Sequence, residues 1–183
     1  YQSTWYREYS CIEDHFARVN TAMTRGKACV RIGVIHPVES YWMYYGCVEH
    51  TQDKCRELED NFQNIIEWLL FAQQDFDFIS ESLLPTQFVS SDDKKFHIGG
   101  MSYDAVLIPN CVTLRSTTID ALRRFSNGGG KVIFAGAFPE YMDGKKGGEI
   151  AEFAKKECAC IPFSQYAILR ELEPYREISL SRP

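Results

Sequence analysis

The chain has no apolar run approaching the roughly 20 residues of a membrane-spanning helix, and no internal repeat or low-complexity stretch. Its basic residues never cluster beyond pairs (Lys94-Lys95, Arg123-Arg124, Lys145-Lys146, Lys155-Lys156). Binding to a phosphate backbone depends on massed cations that displace counterions, so no nucleic-acid partner is expected, and no membrane partner either. CxxC pairs are absent. The cysteines at 11, 29, 47, 55, 111, 158 and 160 are scattered, and the Cys158-Ala159-Cys160 spacing fits no usual zinc site. Neither a metal nor a cofactor is therefore expected. No secretion leader is visible, and an odd number of dispersed thiols reads as a reduced, cytoplasmic chain.

What is present is a globular composition. The 183 residues are 45% apolar, 25% charged and 14% aromatic. A chain of that length buries roughly 70% of its unfolded surface in one domain and needs no covalent staple. The net charge of −5 is uneven: acids outnumber bases 14 to 7 in residues 1–92, whereas bases lead 13 to 11 in residues 93–183. Tyr1 is not a methionine, and the C-terminal residues stop just after a strand-like run. These features give the expectation that the sequence is a piece of something larger.

Trp5, Tyr9, Ile12, Phe16, Val19 and Met23 recur at alternating steps of four and three. That is one stripe of a helix, closed by Gly26 and needing a surface to bury it. Residues 28–35 are almost continuously apolar, as a parallel strand covered on both faces must be, and Pro37 ends them. An aromatic loop is expected over 39–46, then a second amphipathic helix over 51–73 with Cys55, Leu58, Phe62, Ile65 and Leu69 inward. Further strands are expected at 76–79, 103–109 and 131–135, with a small hairpin over 88–98 turning at 91–93. Ser116 is placed to cap a helix that buries Ile119, Leu122 and Phe125 and ends at Asn127-Gly128, and later helices are expected near 148–158 and 164–173.

Strands alternating with helices predict an α/β fold, a flavodoxin-like three-layer sandwich whose parallel sheet has strand order about 2-1-3-4, plus an N-terminal helix and a small hairpin. The expected divisions are a connecting helix over 1–26, the α/β domain over 27–175, and the start of a following segment over 176–183. Ligands of such sheets gather outside the carboxyl ends of the strands. That rule brings together the loops at 36–42, 80–82, 110–115 and 136–140.

Cys111 follows a strand and precedes a helix, where backbone N–H groups lower a thiol pKa. His36 would be its base if their loops meet. A nucleophile elbow wants glycines, however, and Cys111 is flanked by Asn110 and Val112. A buried or capping thiol is the competing interpretation. Glu39 and Glu81 both lie just past strand ends and form a conceivable acid pair; they read equally as loop carboxylates bonded to backbone. Tyr41, Trp42, Tyr44 and Tyr45 offer flat faces with polar rims, suited to sugar rings, an interface or a core. Four rings so close together cannot all point inward. Gly128-Gly129-Gly130 sits at the negative end of a helix dipole, which fits a turn and not a phosphate cradle. The first loop holds Pro37, Glu39 and a single hydroxyl, Ser40, too few free donors for a flavin phosphate.

Three strings carry a resemblance: Val-Ile-His-Pro-Val-Glu-Ser-Tyr-Trp at 34–42, Phe-Asp-Phe-Ile-Ser-Glu-Ser-Leu-Leu-Pro at 76–85, and Tyr-Asp-Ala-Val-Leu-Ile-Pro-Asn-Cys-Val-Thr-Leu-Arg-Ser-Thr at 103–117. Over roughly residues 28–140 the chain resembles the flavodoxin-like, class I glutamine amidotransferase-like domain that follows the catalytic barrel in large bacterial glycoside hydrolases. The β-galactosidase trimerisation domain and its counterparts in rhamnosidase-type enzymes are of this kind. The amidotransferase nucleophile would lie in a Gly-x-Cys-x-Gly turn. The comparable turn here, Phe-Ala-Gly-Ala-Phe at 134–138, has no cysteine.

The resemblance thus implies a noncatalytic accessory domain, serving assembly or completing a sugar site. Its partners would be a catalytic barrel of the same protein or of a neighbouring subunit, with carbohydrate and further copies of the chain as other partners. His36, Glu39, Ser40, Tyr41, Trp42, Glu81, Asn110 and Arg115 would face the ligand or interface. The alternatives are a Cys111-dependent hydrolase of the amidotransferase-like class and a stand-alone carbohydrate-binding module.

Overall fold

The computed structural model describes residues 2–90 and 93–179. In chain order the elements are α1 (Tyr9–Met23), β1 (Ile32–Ile35), α2 (Val38–Tyr44), α3 (Val48–Phe71), β2 (Phe76–Ile79), α4 (Leu84–Gln87), β3 (Phe88–Ser90), β4 (Phe96–Ile98), β5 (Met101–Tyr103), β6 (Ala105–Ile108), β7 (Thr113–Leu114), α5 (Ser116–Asn127), β8 (Lys131–Ala135), β9 (Tyr141–Met142), β10 (Lys145–Lys146), α6 (Glu149–Glu157), β11 (Ala159–Ile161) and α7 (Gln165–Leu172).

The central sheet is all parallel, in the order β2-β1-β6-β8-β11. Counted along the chain this is 2-1-3-4-5, the expected flavodoxin-like order with a fifth edge strand, β11. That strand has only three residues between two helices, too short a run to stand out in the sequence. Because side chains alternate across a strand, each central strand feeds two cores. Ile32, Val34, Ala105, Leu107, Ile133 and Ala135 meet Ile65 and Leu69 of α3 and Ile168 and Leu172 of α7. Val106, Ile108, Val132 and Phe134 meet Ile119, Leu122 and Phe125 of α5 and Ile150 and Phe153 of α6. This is the three-layer sandwich.

Four local expectations need correcting. The 39–46 aromatic segment is mostly helix: α2 starts at Val38, directly after Pro37, whose fixed φ suits a helix start. The 103–109 run divides. Its first residue belongs to a separate antiparallel sheet, β3-β4-β5, which also contains the expected hairpin; the turn at 91–92 lies outside the described residues. Ser116 is the first residue of α5 and not its cap. The helix end is held by Asp143, which accepts the Ser116 N–H at 3.0 Å and sits below the usual carboxylate range because Ser116 donates to it from side chain and backbone. Finally, the loop at 110–115 contains β7, which β9 and β10 join in a small sheet at the strand-end rim.

The stripe of α1 is the structural outlier. Ile12 (52% exposed), Phe16 (58%) and Met23 (79%) face solvent, Trp5 (61%) lies in the turn before the helix and not on it, and no residue of α1 is buried. Gly26, at φ +106°, ends that segment in the backbone conformation expected of it.

Candidate functional site

The parallel sheet turns its carboxyl ends to one rim, and three of the four loops there are stitched together. Ser40, fully buried in α2, accepts the N–H groups of Val112 (3.0 Å) and Thr113 (3.2 Å) and donates to the Thr113 carbonyl (3.4 Å). Glu81, 2% exposed, accepts the Arg115 N–H at 2.8 Å. Glu39 of α2 pairs with the Arg115 guanidinium at 2.6 Å. Arg115 therefore lies between two carboxylates, one met by its backbone and one by its side chain. The fourth loop enters through Gly136, which at φ +100° brings its backbone against Asn110: a Cβ there would stand 3.1 Å from Asn110 Cβ. Tyr141 donates its N–H to the Val112 carbonyl at 3.1 Å.

These contacts assign roles to the residues singled out in the sequence. Ser40, Glu39, Glu81 and Arg115 form one connected network whose partners are largely each other and the backbone. Asn110 lines a shallow recess of about 190 Å³ with Cys111, Phe138 and Tyr141. Trp42 is 61% exposed on the outer side of α2. His36 and Tyr41 line a separate cavity.

Cys111 is buried, and burial together with the nearby Glu81 charge pushes its thiol well above the usual range. That is the opposite of activation. The expected imidazole partner is elsewhere: the His36 ring packs against Phe62 (centroids 5.0 Å apart) and Phe78 (5.6 Å), and among the described residues no hydrogen bond joins it to Cys111. Nor are Glu39 and Glu81 a free acid pair, since each is committed to Arg115.

Glu81 is electrostatically unusual. Burial raises its pKa, only partly offset by the Arg115 N–H and by Thr118 nearby, while the Glu39 charge raises it further. Its Oε1 and the buried Thr118 Oγ1 each lack a well-formed hydrogen bond, although the hydroxyl is close enough to favour the charged carboxylate. A carboxyl whose pKa is higher folded than unfolded binds its proton more tightly in the native state. Its contribution to stability is complete below the unfolded value near 4.3 and is lost as pH rises through the folded value. Glu81→Gln removes this dependence while keeping an oxygen for Arg115 and supplying an amide donor for Thr118. The expected result is a variant about 1 kcal/mol more stable at pH 7, with a flatter pH profile between pH 4.5 and 7 in urea denaturation. A variant less stable than the parent at pH 7 would contradict this account.

The cavity of about 230 Å³ lies between the β1–α2 junction and α3, lined by His36, Pro37 and Tyr41 on one side and by Leu58, Glu59 and Phe62 on the other. The neighbouring Glu59 carboxylate raises the pKa of the Tyr41 phenol. Burial lowers the pKa of His36, so it is neutral at pH 7. The α3 wall of this cavity was not singled out in the sequence. Leu58 and Phe62 appear there only as members of an inward stripe, and nothing in the pattern distinguishes Glu59 from other surface acids.

Against known proteins, the chain matches no family model, no curated protein and no solved structure.

Proposed function

We propose that this chain is a noncatalytic accessory domain of a bacterial glycoside hydrolase, docked through α1 onto a catalytic barrel of the same protein or of a neighbouring subunit. The observation that carries the reading is the α1 stripe: five apolar side chains at helical spacing, continued by Trp5 in the turn before the helix, each 39% or more exposed. An apolar face of that extent marks an interaction surface. The strand-end rim supports the noncatalytic half of the proposal, because its one buried thiol is deactivated and its carboxylates are tied to Arg115. The glycosidase class comes from the resemblance of the three strings at 34–42, 76–85 and 103–117.

The experiment compares the 183-residue chain with the full protein encoded by its reading frame. Only the full protein should hydrolyse aryl glycosides. Ile12→Glu with Phe16→Glu touches no packed core, so the isolated chain should keep its stability to within about 0.5 kcal/mol. In the full protein the same pair should disrupt docking and lower activity. Turnover by the isolated chain that is abolished by Cys111→Ser would defeat the proposal, as would a full protein indifferent to charges in the stripe.

A further inference from the structure

The α2–α3 cavity has a chemistry the rim network lacks, and we infer that it is a saccharide subsite that takes one pyranose ring of a neutral glycan. The inference deepens the accessory-domain reading and rests on it for the source of the sugar. At about 230 Å³ the space is smaller than the roughly 300–1,000 Å³ of sites for drug-sized ligands, and it fits a single small ring. The rings of Tyr41 and Phe62 and the aliphatic surfaces of Pro37, Val38 and Leu58 give the cavity an apolar lining suited to the C–H faces of a sugar.

The polar groups narrow the class. No lysine or arginine lines the cavity, so a phosphate or carboxylate ligand would find no counter-charge. One carboxylate is too few oxygen ligands for a calcium or magnesium ion. A carboxylate has about four acceptor positions. Glu59, beside the Tyr41 phenol in the cavity wall, offers these to hydroxyl groups of a ring. The His36 imidazole provides a donor and an acceptor from its two nitrogens. A quaternary ammonium would also suit the aromatic walls, but it has no hydrogen-bonding group to engage the two nitrogens of the neutral His36 ring. Tyr45, 77% exposed with its ring 6.0 Å from that of Tyr41, continues the platform outward, where a second sugar unit would lie.

The test is amide-resolved NMR titration of the 183-residue chain. The probes are the methyl pyranosides of glucose, galactose, mannose and rhamnose, with tetramethylammonium and inorganic phosphate as comparisons. At least one glycoside should shift the Val38, Tyr41 and Phe62 amides saturably, with Kd of about 1–10 mM. Glu59→Ala changes an exposed residue and should weaken binding at least tenfold with an unchanged thermal transition; Tyr41→Ala should do the same. The subsite is overturned if no glycoside saturates, if saturation survives Glu59→Ala, or if tetramethylammonium binds more tightly than every sugar. Loss of the subsite with α1-dependent docking intact would leave the accessory-domain reading standing. Glycoside binding in a full protein indifferent to the stripe would remove that reading and keep the subsite.

Discussion

Ser40→Ala is expected to lower the stability of the domain by roughly 2–4 kcal/mol, because an unsatisfied buried donor costs about 1–3 kcal/mol and this change strands a buried one at Thr113 and a half-buried one at Val112. The hydroxyl receives the N–H groups of Val112 and Thr113 and returns a bond to the Thr113 carbonyl. Alanine fits the space but leaves those N–H groups facing a methyl, and at the buried Thr113 water cannot replace the oxygen. The damage should reach beyond stability. Ser40 lies on α2, the helix that presents Tyr41 to the cavity. Loosening α2 from β7 should therefore weaken glycoside binding as well. Ser82→Ala is the matched control: its exposed hydroxyl meets only Ser80 at 3.0 Å, and its loss should stay within about 0.5 kcal/mol. Urea denaturation of the two variants checks the prediction, and equal losses would show that the hydroxyl network does not fasten the rim.

Gly130→Ala should cost about 3 kcal/mol, the upper end of the usual range for overpacking. A Cβ at this position would run into the Phe125 ring, with Cζ only 2.5 Å away. Phe125 is itself fully buried among the α5 and sheet side chains, so it has nowhere to retreat. The neighbouring glycines should rank below it for separate reasons. Gly129 has φ +84°, so alanine there meets backbone strain of about 1 kcal/mol, with only the flexible Lys94 side chain nearby. Gly128 has φ −73°, ordinary for any residue, and its replacement should be nearly neutral. Adding Phe125→Leu to Gly130→Ala should recover part of the loss, a non-additivity that independent sites would not show. Thermal unfolding of the three single variants and the double variant would establish the order. Gly129→Ala emerging as the costliest of the three would mean that turn conformation, and not the approach of the ring, is what matters.

The triple glycine illustrates which conclusions were available from the chain alone. Its position at the end of an inward-facing helix identified a return turn, and the positive φ of Gly129 agrees. That Gly130 is needed for space instead of conformation depends on where Phe125 points after α5 docks, and no local pattern carries that. The same division holds at the rim. Strand-end logic brought the four loops to one edge, because parallel crossovers leave every carboxyl end on the same side. Whether Glu39 and Glu81 would meet each other or a common arginine depended on side-chain directions across 34 to 76 residues of sequence. The thiol of Cys111 was ambiguous for a similar reason. Its place after a strand allowed activation, and only the packing around it determined that burial prevails.

The sequence by itself determined the class of fold and the order of its inner strands. Continuous apolar runs of four or five residues can be covered only from both faces, and right-handed crossovers then leave few arrangements. It also determined the α1 stripe, since helical spacing is a local property. Tertiary structure alone decided that this stripe stays uncovered within the described residues, that Asp143 closes the start of α5, and that Glu59 joins His36 and Tyr41 around a cavity. Those outcomes depend on contacts between distant segments, and in such contacts the neighbour supplied by the fold, rather than the residue type, fixes what a side chain does.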